Sequence, residues 1–402
     1  MKKSLILVSI VLVLVACSRE DPIEFGTRKD LIIETRHDAY VESGKEFALK
    51  LLEEYKSLEN GNFTLSPLSL EYTLGMINLA ADGSASQEIC SALGYGDNKE
   101  DVSSYLKGLR KQLEEVDKST SLFQANGVYL DKKYSFDHSY LQSVKQCFNA
   151  DARELDFTQP SSAAKEINEW IKKNTKSNIP KALEKLSAGI DALFINALYF
   201  NGKWSSKFNS ANTKKEPFNT VEGKTTTVEM MCQERDFDYY KSDHFKAATL
   251  PYGNGTYNMV IVLPDKEYSL DSVLSEMNPD IWNSIVKEST SMTLKLSLPR
   301  FKIDYSTDLI PAMMAMGINS VFEEETALSS MADDFKGNVS QMDQSISLEV
   351  DESGTKASVI TKAVSGLVMN LPMTFKADRP FAYFIMEKST GIILVEGVLR
   401  LP

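Results

Sequence analysis

The sequence predicts an α+β fold, a helical first half followed by large, mostly antiparallel sheets, without strict alternation of strand and helix. Three observations carry this. Apolar residues at helical spacing dominate up to Asn174, residues 193–200 (LFINALYF) are a nearly continuous apolar run, and strand-like segments follow to the C-terminus. The chain has 402 residues, 43% of them hydrophobic, enough for one large core. No internal repeat, low-complexity tract or linker divides it, so a single domain over residues 39–402 is expected.

Ahead of that domain, Lys2 and Lys3 give a positive start, residues 5–15 an apolar run, and Leu14, Val15, Ala16 and Cys17 its close. A charged start and a short apolar run make an export signal over residues 1–16 rather than a spanning helix. The ending resembles the lipobox of bacterial lipoproteins, which implies cleavage before Cys17 and lipid attached to it. Residues 17–38 then read as the lipidated cysteine and a polar tether. No later run is long and apolar enough to span a membrane. Setting Cys17 aside leaves Cys90, Cys147 and Cys232, an odd number with no CxxC pair, so buried free thiols are expected.

Along the domain, Phe47, Leu51, Leu52 and Tyr55 recur at helical spacing, and Gly61 stops the run. Ser66 and Pro67 start a second helix, as N-cap and first turn, which carries Leu70, Leu74, Met76 and Ile77 toward Gly83. Ser84 and Gln87 have the spacing of a capping box for the next short helix. Residues 101–116 are amphipathic, 123–130 strand-like and 138–147 helical, and Ile167, Trp170 and Ile171 share a helical face within residues 163–174. The run at 193–200 is a central strand covered on both faces. Strands are then expected at 225–231, 246–252, 257–263, 292–298, 345–350, 381–387 and 392–398, with Gly253 and Gly255 in a hairpin turn.

Between the last strands lies a segment with an unusual alternation. Thr355, Ala357, Val359, Thr361, Ala363, Ser365 and Leu367 are small or apolar and uncharged, whereas the intervening set holds Lys356 and Lys362. Side chains alternate faces along a strand, so this segment can lie in a sheet with an uncharged face inward. Its Gly, Ala and Ser content favours strands weakly, which also suits an exposed loop. Residues 354–368 would span roughly 50 Å as a strand, enough to cross a sheet.

Several function classes are disfavoured. The net charge is -12 with no basic stripe, which argues against a nucleic-acid partner. There is no GxSxG elbow, and His37, His138 and His244 sit in no catalytic or metal-binding spacing, so no enzyme, metal or cofactor is expected.

Seven collinear stretches carry a family resemblance: residues 62–83 (NFTLSPLSLEYTLGMINLAADG), 194–204 (FINALYFNGKW), 250–264 (LPYGNGTYNMVIVLP), 294–304 (LKLSLPRFKID), 309–322 (LIPAMMAMGINSVF), 349–358 (EVDESGTKAS) and 378–398 (DRPFAYFIMEKSTGIILVEGV). The chain resembles a serpin from about residue 39 to the end. The resemblance implies three β-sheets, about eight or nine helices and an exposed reactive-centre loop at about 352–376. It also implies suicide-substrate inhibition of a serine or cysteine protease, in which a cut loop enters the main sheet, and a monomer. By motif, Glu352, Gly354, Thr355, Ala357 and Ser358 match the hinge; Arg300, Trp204 and Glu352 match the top of the sheet where insertion starts. Ser66, Ser69 and Asn196 match a polar cluster beneath the point where strands part, and Gln344 stands where the family usually has histidine. Glutamine both donates and accepts, so the cluster can persist without a pH response.

Counting from Glu352 by the family's spacing gives Val368-Met369 as the scissile bond, and counting back from Pro380 gives Met369-Asn370. Either presents an apolar residue, which suits elastase-like, subtilisin-like or apolar-preferring cysteine proteases. Val359 and Ile360 replace the small residues usual in the hinge, and Lys356 a common acid. Branched side chains stiffen the loop yet suit the inserted strand. The alternative reading is a non-inhibitory serpin acting as protease substrate, carrier or chaperone. With lipid on Cys17 the protein would be an exported, membrane-anchored bacterial lipoprotein.

Overall fold

The computed structural model describes residues 25–402 apart from 180–182, 184, 185, 187, 188, 221, 222, 334 and 355–371. Residues 1–24, with the export signal and Cys17, and the loop positions Thr355, Ala357, Ser358, Val368, Met369 and Asn370 lie outside that set.

The chain runs through α1 (Asp38–Tyr55), β1 (Phe63–Leu65), α2 (Pro67–Ala80), α3 (Gly83–Leu93), α4 (Lys99–Glu115) and β2 (Ser121–Asp131). It continues with α5 (His138–Phe148), β3 (Asp151–Leu155), α6 (Pro160–Asn174), β4 (Ala192–Asn201), β5 (Lys214–Asn219), β6 (Thr225–Lys241), β7 (Phe245–Pro251) and β8 (Tyr257–Pro264). Then come α7 (Leu270–Glu276), α8 (Pro279–Glu288), β9 (Thr290–Pro299), β10 (Phe301–Asp308), α9 (Ile310–Ala315) and α10 (Ser320–Glu323). The last strands are β11 (Val339–Val350), β12 (Met373–Lys376), β13 (Phe381–Glu387) and β14 (Ile393–Leu399).

One sheet has five strands in the order β10-β11-β4-β2-β3. The other nine strands form one hydrogen-bonded sheet in the order β1-β14-β13-β8-β7-β6-β9-β12, with β5 paired to the first part of β6; β6 is long enough to pair with β5 at its start, β9 along its middle and β7 at its end. Ten α-helices occur among the described residues, the short α9 and α10 included.

Helix α2 is buried on nearly every side, which explains why its sequence is apolar all round. Ser66 caps it, accepting from Ser69 N–H at 3.2 Å, with Pro67 in the first turn. The expected Ser84 capping box does not form. Asp82 stands at the N-cap of α3, its side chain taken by the hydroxyls of Ser329 and Ser330, while Ser84 donates to Glu324. The cysteines also differ from expectation. Cys90, Cys147 and Cys232 are free but half-buried; Cys147 packs at the edge of the main core and Cys90 accepts from the Asn78 amide at 3.4 Å.

Candidate functional site

The site is a seam in the five-stranded sheet. Strands β11 and β4 lie side by side and parallel, with Gln344 level with Asn196. Their outer neighbours, β10 and β2, are antiparallel to them. Strand β4 is covered on both faces, as its continuous apolar run requires. Ala192, Phe194, Leu198 and Phe200 join the main core, while Leu193, Ile195, Ala197 and Tyr199 pack with Ala163, Ala164, Ile167 and Ile171 of α6.

Beneath the seam the polar residues are buried. Ser66 N–H donates to Gln344 Oε1 at 2.8 Å, and Gln344 Nε2 donates back to the Ser66 carbonyl at 3.0 Å. The Ser66 hydroxyl lies 2.9 Å from that of Ser69 and donates to the Leu394 carbonyl at 2.6 Å, tying α2 to β14. Asn196 does not join this group. It donates to Asn126 Oδ1 at 2.7 Å, and Asn126 donates to the Phe148 carbonyl at 2.9 Å. The structure therefore makes two buried networks facing each other across the seam, one built on Ser66, Ser69 and Gln344, the other on Asn196 and Asn126. Asn196 Oδ1 has no donor among the described residues.

At the top of the seam the chain leaves β11 and turns sharply over Asp351, Glu352, Ser353 and Gly354. Gly354 forms antiparallel bridges with both Asp351 and Lys203, the latter just past the end of β4. Its φ is +101°, and a Cβ there would lie 2.3 Å from Trp204 N, so only glycine fits. Trp204 clasps the turn. Its indole donates to the Asp351 carbonyl at 2.9 Å and its backbone N–H to the Ser353 carbonyl at 3.1 Å, while the ring stacks on Tyr252 at 4.3 Å.

Arg300 grips Glu352 with two parallel bonds, Nε to Oε2 at 2.8 Å and Nη2 to Oε1 at 2.5 Å, and Thr213 donates a third. Glu352 is 8% exposed while Arg300 is exposed, so the fork is shielded on its carboxylate side and open to solvent on its guanidinium side. Burial alone would raise the Glu352 carboxyl, but hydrogen bonds from Arg300 and Thr213 and the nearby guanidinium hold it below its ordinary value. A depressed carboxylate stabilises the fold above the ordinary pKa of 4.5 and withdraws that support as pH falls through the lowered one. Arg300→Ala is expected to lower the thermal midpoint of the intact protein by the equivalent of about 1–2 kcal/mol at neutral pH. The gap from wild type should narrow as pH falls below the ordinary carboxyl value of 4.5, as calorimetry across pH would register.

Thr213, Asn126, Lys203 and Tyr252 also belong to this site; Lys203 and Tyr252 lie in stretches that carry the resemblance but were not singled out there, and nothing in the local sequence marks Thr213 or Asn126. They come from distant segments, and only the fold brings them to Glu352, Asn196, Gly354 and Trp204.

A parallel seam with a hinge turned back over it defines a class of protein, and comparison with known proteins identifies the class. The Serpin (serine protease inhibitor) family model matches residues 42–402, and the chain belongs to that family. Leukocyte elastase inhibitor A of Mus musculus is 32% identical over 373 residues, covering 89% of this chain and 97% of its own. Serine protease inhibitor 42Dd of Drosophila melanogaster is 31% identical over 341 residues, covering 83% and 90%. Native protease nexin-1 with heparin aligns at a TM-score of 0.82 and 26% identity, over 91% of this chain and all of that one. The thermophilic serpin tengpin in its native state aligns at 0.83 and 24% identity over 94% and 98%, a likeness of fold alone.

Proposed function

We propose that this serpin is a suicide-substrate protease inhibitor whose loop, once cut, enters the five-stranded sheet between β11 and β4. The protease's nucleophile attacks the carbonyl of Val368 or Met369, the peptide bond to the next residue breaks, and the new amine leaves with the C-terminal piece. The acyl-enzyme is then carried along as the loop inserts. The observation that carries this reading is the parallel pairing of β11 and β4 with Gly354 already reversed between their ends. A chain that leaves β11, turns and runs back down the seam is antiparallel to both neighbours, the more stable ladder on either side.

The two bridges also supply a register. Seven residues back from Asp351 and from Lys203 are Gln344 and Asn196, themselves level with each other, and seven residues on from Gly354 is Thr361. Extending that register would set Thr355, Ala357, Val359, Thr361 and Ala363 opposite Val350, Leu348, Ile346, Gln344 and Met342, all buried. Opposed residues of an antiparallel pair share a face, so the uncharged set of the alternation would point inward. Glu352, Arg300 and Trp204 would hold the top of the seam shut until cleavage, and Gly354 with residues 355–358 would be the hinge. Ser66, Ser69, Gln344 and Asn196 would re-pair as the strands part.

The apolar residues at the bond favour an elastase-like or subtilisin-like serine protease, or an apolar-preferring cysteine protease, and the mouse relative's name is in keeping with this. The same reading makes the chain an exported bacterial lipoprotein held at a membrane by lipid on Cys17, its domain at 39–402 behind the tether. No helix among the described residues is long and apolar enough to cross a membrane, so the lipid would be the anchor. Incubation with an elastase-like protease should give a covalent complex that survives denaturing electrophoresis. Cut inhibitor beside fully active protease would instead mean substrate or carrier behaviour.

A further inference from the structure

Helix α2, whose start holds Ser66 and Ser69 beneath the seam, carries one acid, Glu71, and that residue is 2% exposed. Two other helices and a turn close over it. Gly44 of α1 comes so near that a Cβ there would lie 3.2 Å from both Glu71 Oε1 and the Tyr95 hydroxyl, so the contact is made through glycine. Tyr95, in the turn between α3 and α4, donates its hydroxyl to Glu71 Oε2. Tyr105 of α4 sets its ring 5.7 Å from that of Tyr95 and 5.4 Å from that of Tyr40 on α1, which completes the wall. Both Tyr95 and Tyr105 are buried.

Glu71 forms no ion pair among the described residues, and Tyr95 is the side chain that bonds it. The titratable groups facing it are acids themselves: Tyr95, Tyr105 and, beside it on α2, Tyr72, whose hydroxyl has no partner among the described residues. Charges on the surrounding elements are turned to other partners. Lys45 of α1 binds Glu42 and Asn283, Arg36 and His37 bind Asp101 of α4, and Arg110 of α4 binds Glu114. Cys90 of α3 accepts from Asn78, and Tyr140 of α5 donates to the Met76 carbonyl. A buried charge without a partner is costly, so such a group keeps its proton instead. Burial pushes the Glu71 carboxyl up to about 8, against the bond from Tyr95 that pulls it down.

We propose that Glu71 is a proton-operated latch: protonated, it lets α1, α2 and α4 close on one another, and ionised, it loosens that junction and the helix that supports the seam. The latch stands independently of the inhibitory reading above. Its sign is fixed by which state holds the proton. The unfolded chain loses it near 4.5 and the folded chain near 8. Between those values the folded state binds the extra proton, so stability falls as pH rises, and the fall ends once both states are ionised.

The test melts full-length intact protein between about pH 5 and about pH 9.5 for wild type, Glu71→Gln and Tyr95→Phe. The midpoint of Glu71→Gln, measured against wild type, should climb by at least about 4 °C from pH 5 to pH 8 and hold steady above that. Asp343, Asp351 and Glu396, other carboxyls that burial raises, are present in both proteins and cancel in the difference. Tyr95→Phe removes the bond that favours the charged form, so its decline should continue to higher pH than that of wild type. Hydrogen exchange gives a local readout. From pH 6.5 to pH 8.5 the amides of α2 should gain about tenfold or more in wild type beyond the ordinary base-catalysed rise, and not in Glu71→Gln. A Glu71→Gln midpoint offset from wild type by the same amount at every pH would mean a purely structural role and would overturn the proposal. Equal exchange of α2 in the two proteins would overturn it as well. If Glu71→Gln does not fold, Tyr95→Phe decides by itself: a decline that ends at the same pH as in wild type sinks the latch.

Discussion

Cutting the loop is expected to raise the melting midpoint of the protein by roughly 20 °C or more. While intact, β11 and β4 share one ladder; with a strand between them they would share two. The net gain is about one hydrogen bond per inserted residue, about ten between Thr355 and Val364, each worth roughly 1 kcal/mol. At about 2 °C per kcal/mol for a chain of this size, that gives the stated rise before any apolar burial is added. Val359 and Leu367, on the inward set, would increase it. Calorimetry of intact and singly nicked protein measures the difference directly. Equal midpoints would mean that the cut segment does not enter the sheet.

A larger functional effect is expected from two neighbouring substitutions. Ala357→Arg should abolish trapping, and Ser358→Arg should leave it nearly unchanged. In the extended register Ala357 falls between Leu348 and Phe200, each 1% exposed, and an unpaired arginine buried there costs several kcal/mol. A cost of that size slows insertion at least tenfold relative to hydrolysis of the acyl-enzyme, so the variant would be consumed as a substrate. Ser358 falls beside Ser347 on the half-exposed face, where a long cationic side chain can reach solvent. Titration of a protease with each variant gives the number of inhibitor molecules used per enzyme trapped. Similar behaviour of the two variants would break the register, because a slip of one residue exchanges the faces.

Much of the fold was legible because its signals are local. The continuous apolar run at 193–200 announced a strand covered on both sides, and β4 is packed between the main core and α6. Ser66 before Pro67 announced a helix start, and the serine caps α2. Strands such as β1 and β12, three and four residues long, gave no period to read and exist because a neighbouring strand offers its edge. The misread cap at Ser84 has the same root: the spacing was right, but Asp82, supported from Ser329 and Ser330, lay closer to the start of the helix.

The site divides along the same line. Sequence by itself determined the alternation of uncharged residues between Thr355 and Leu367, and that a glycine follows β11 where the chain turns, because alternation and backbone freedom are properties of neighbouring residues. Only the tertiary structure decided that β11 lies parallel to β4, that Gln344 is level with Asn196, and that Asp343 faces Asp308. Strand pairing joins segments far apart in the chain, and its register is fixed by the packing of the whole sheet rather than by any residue's own preference.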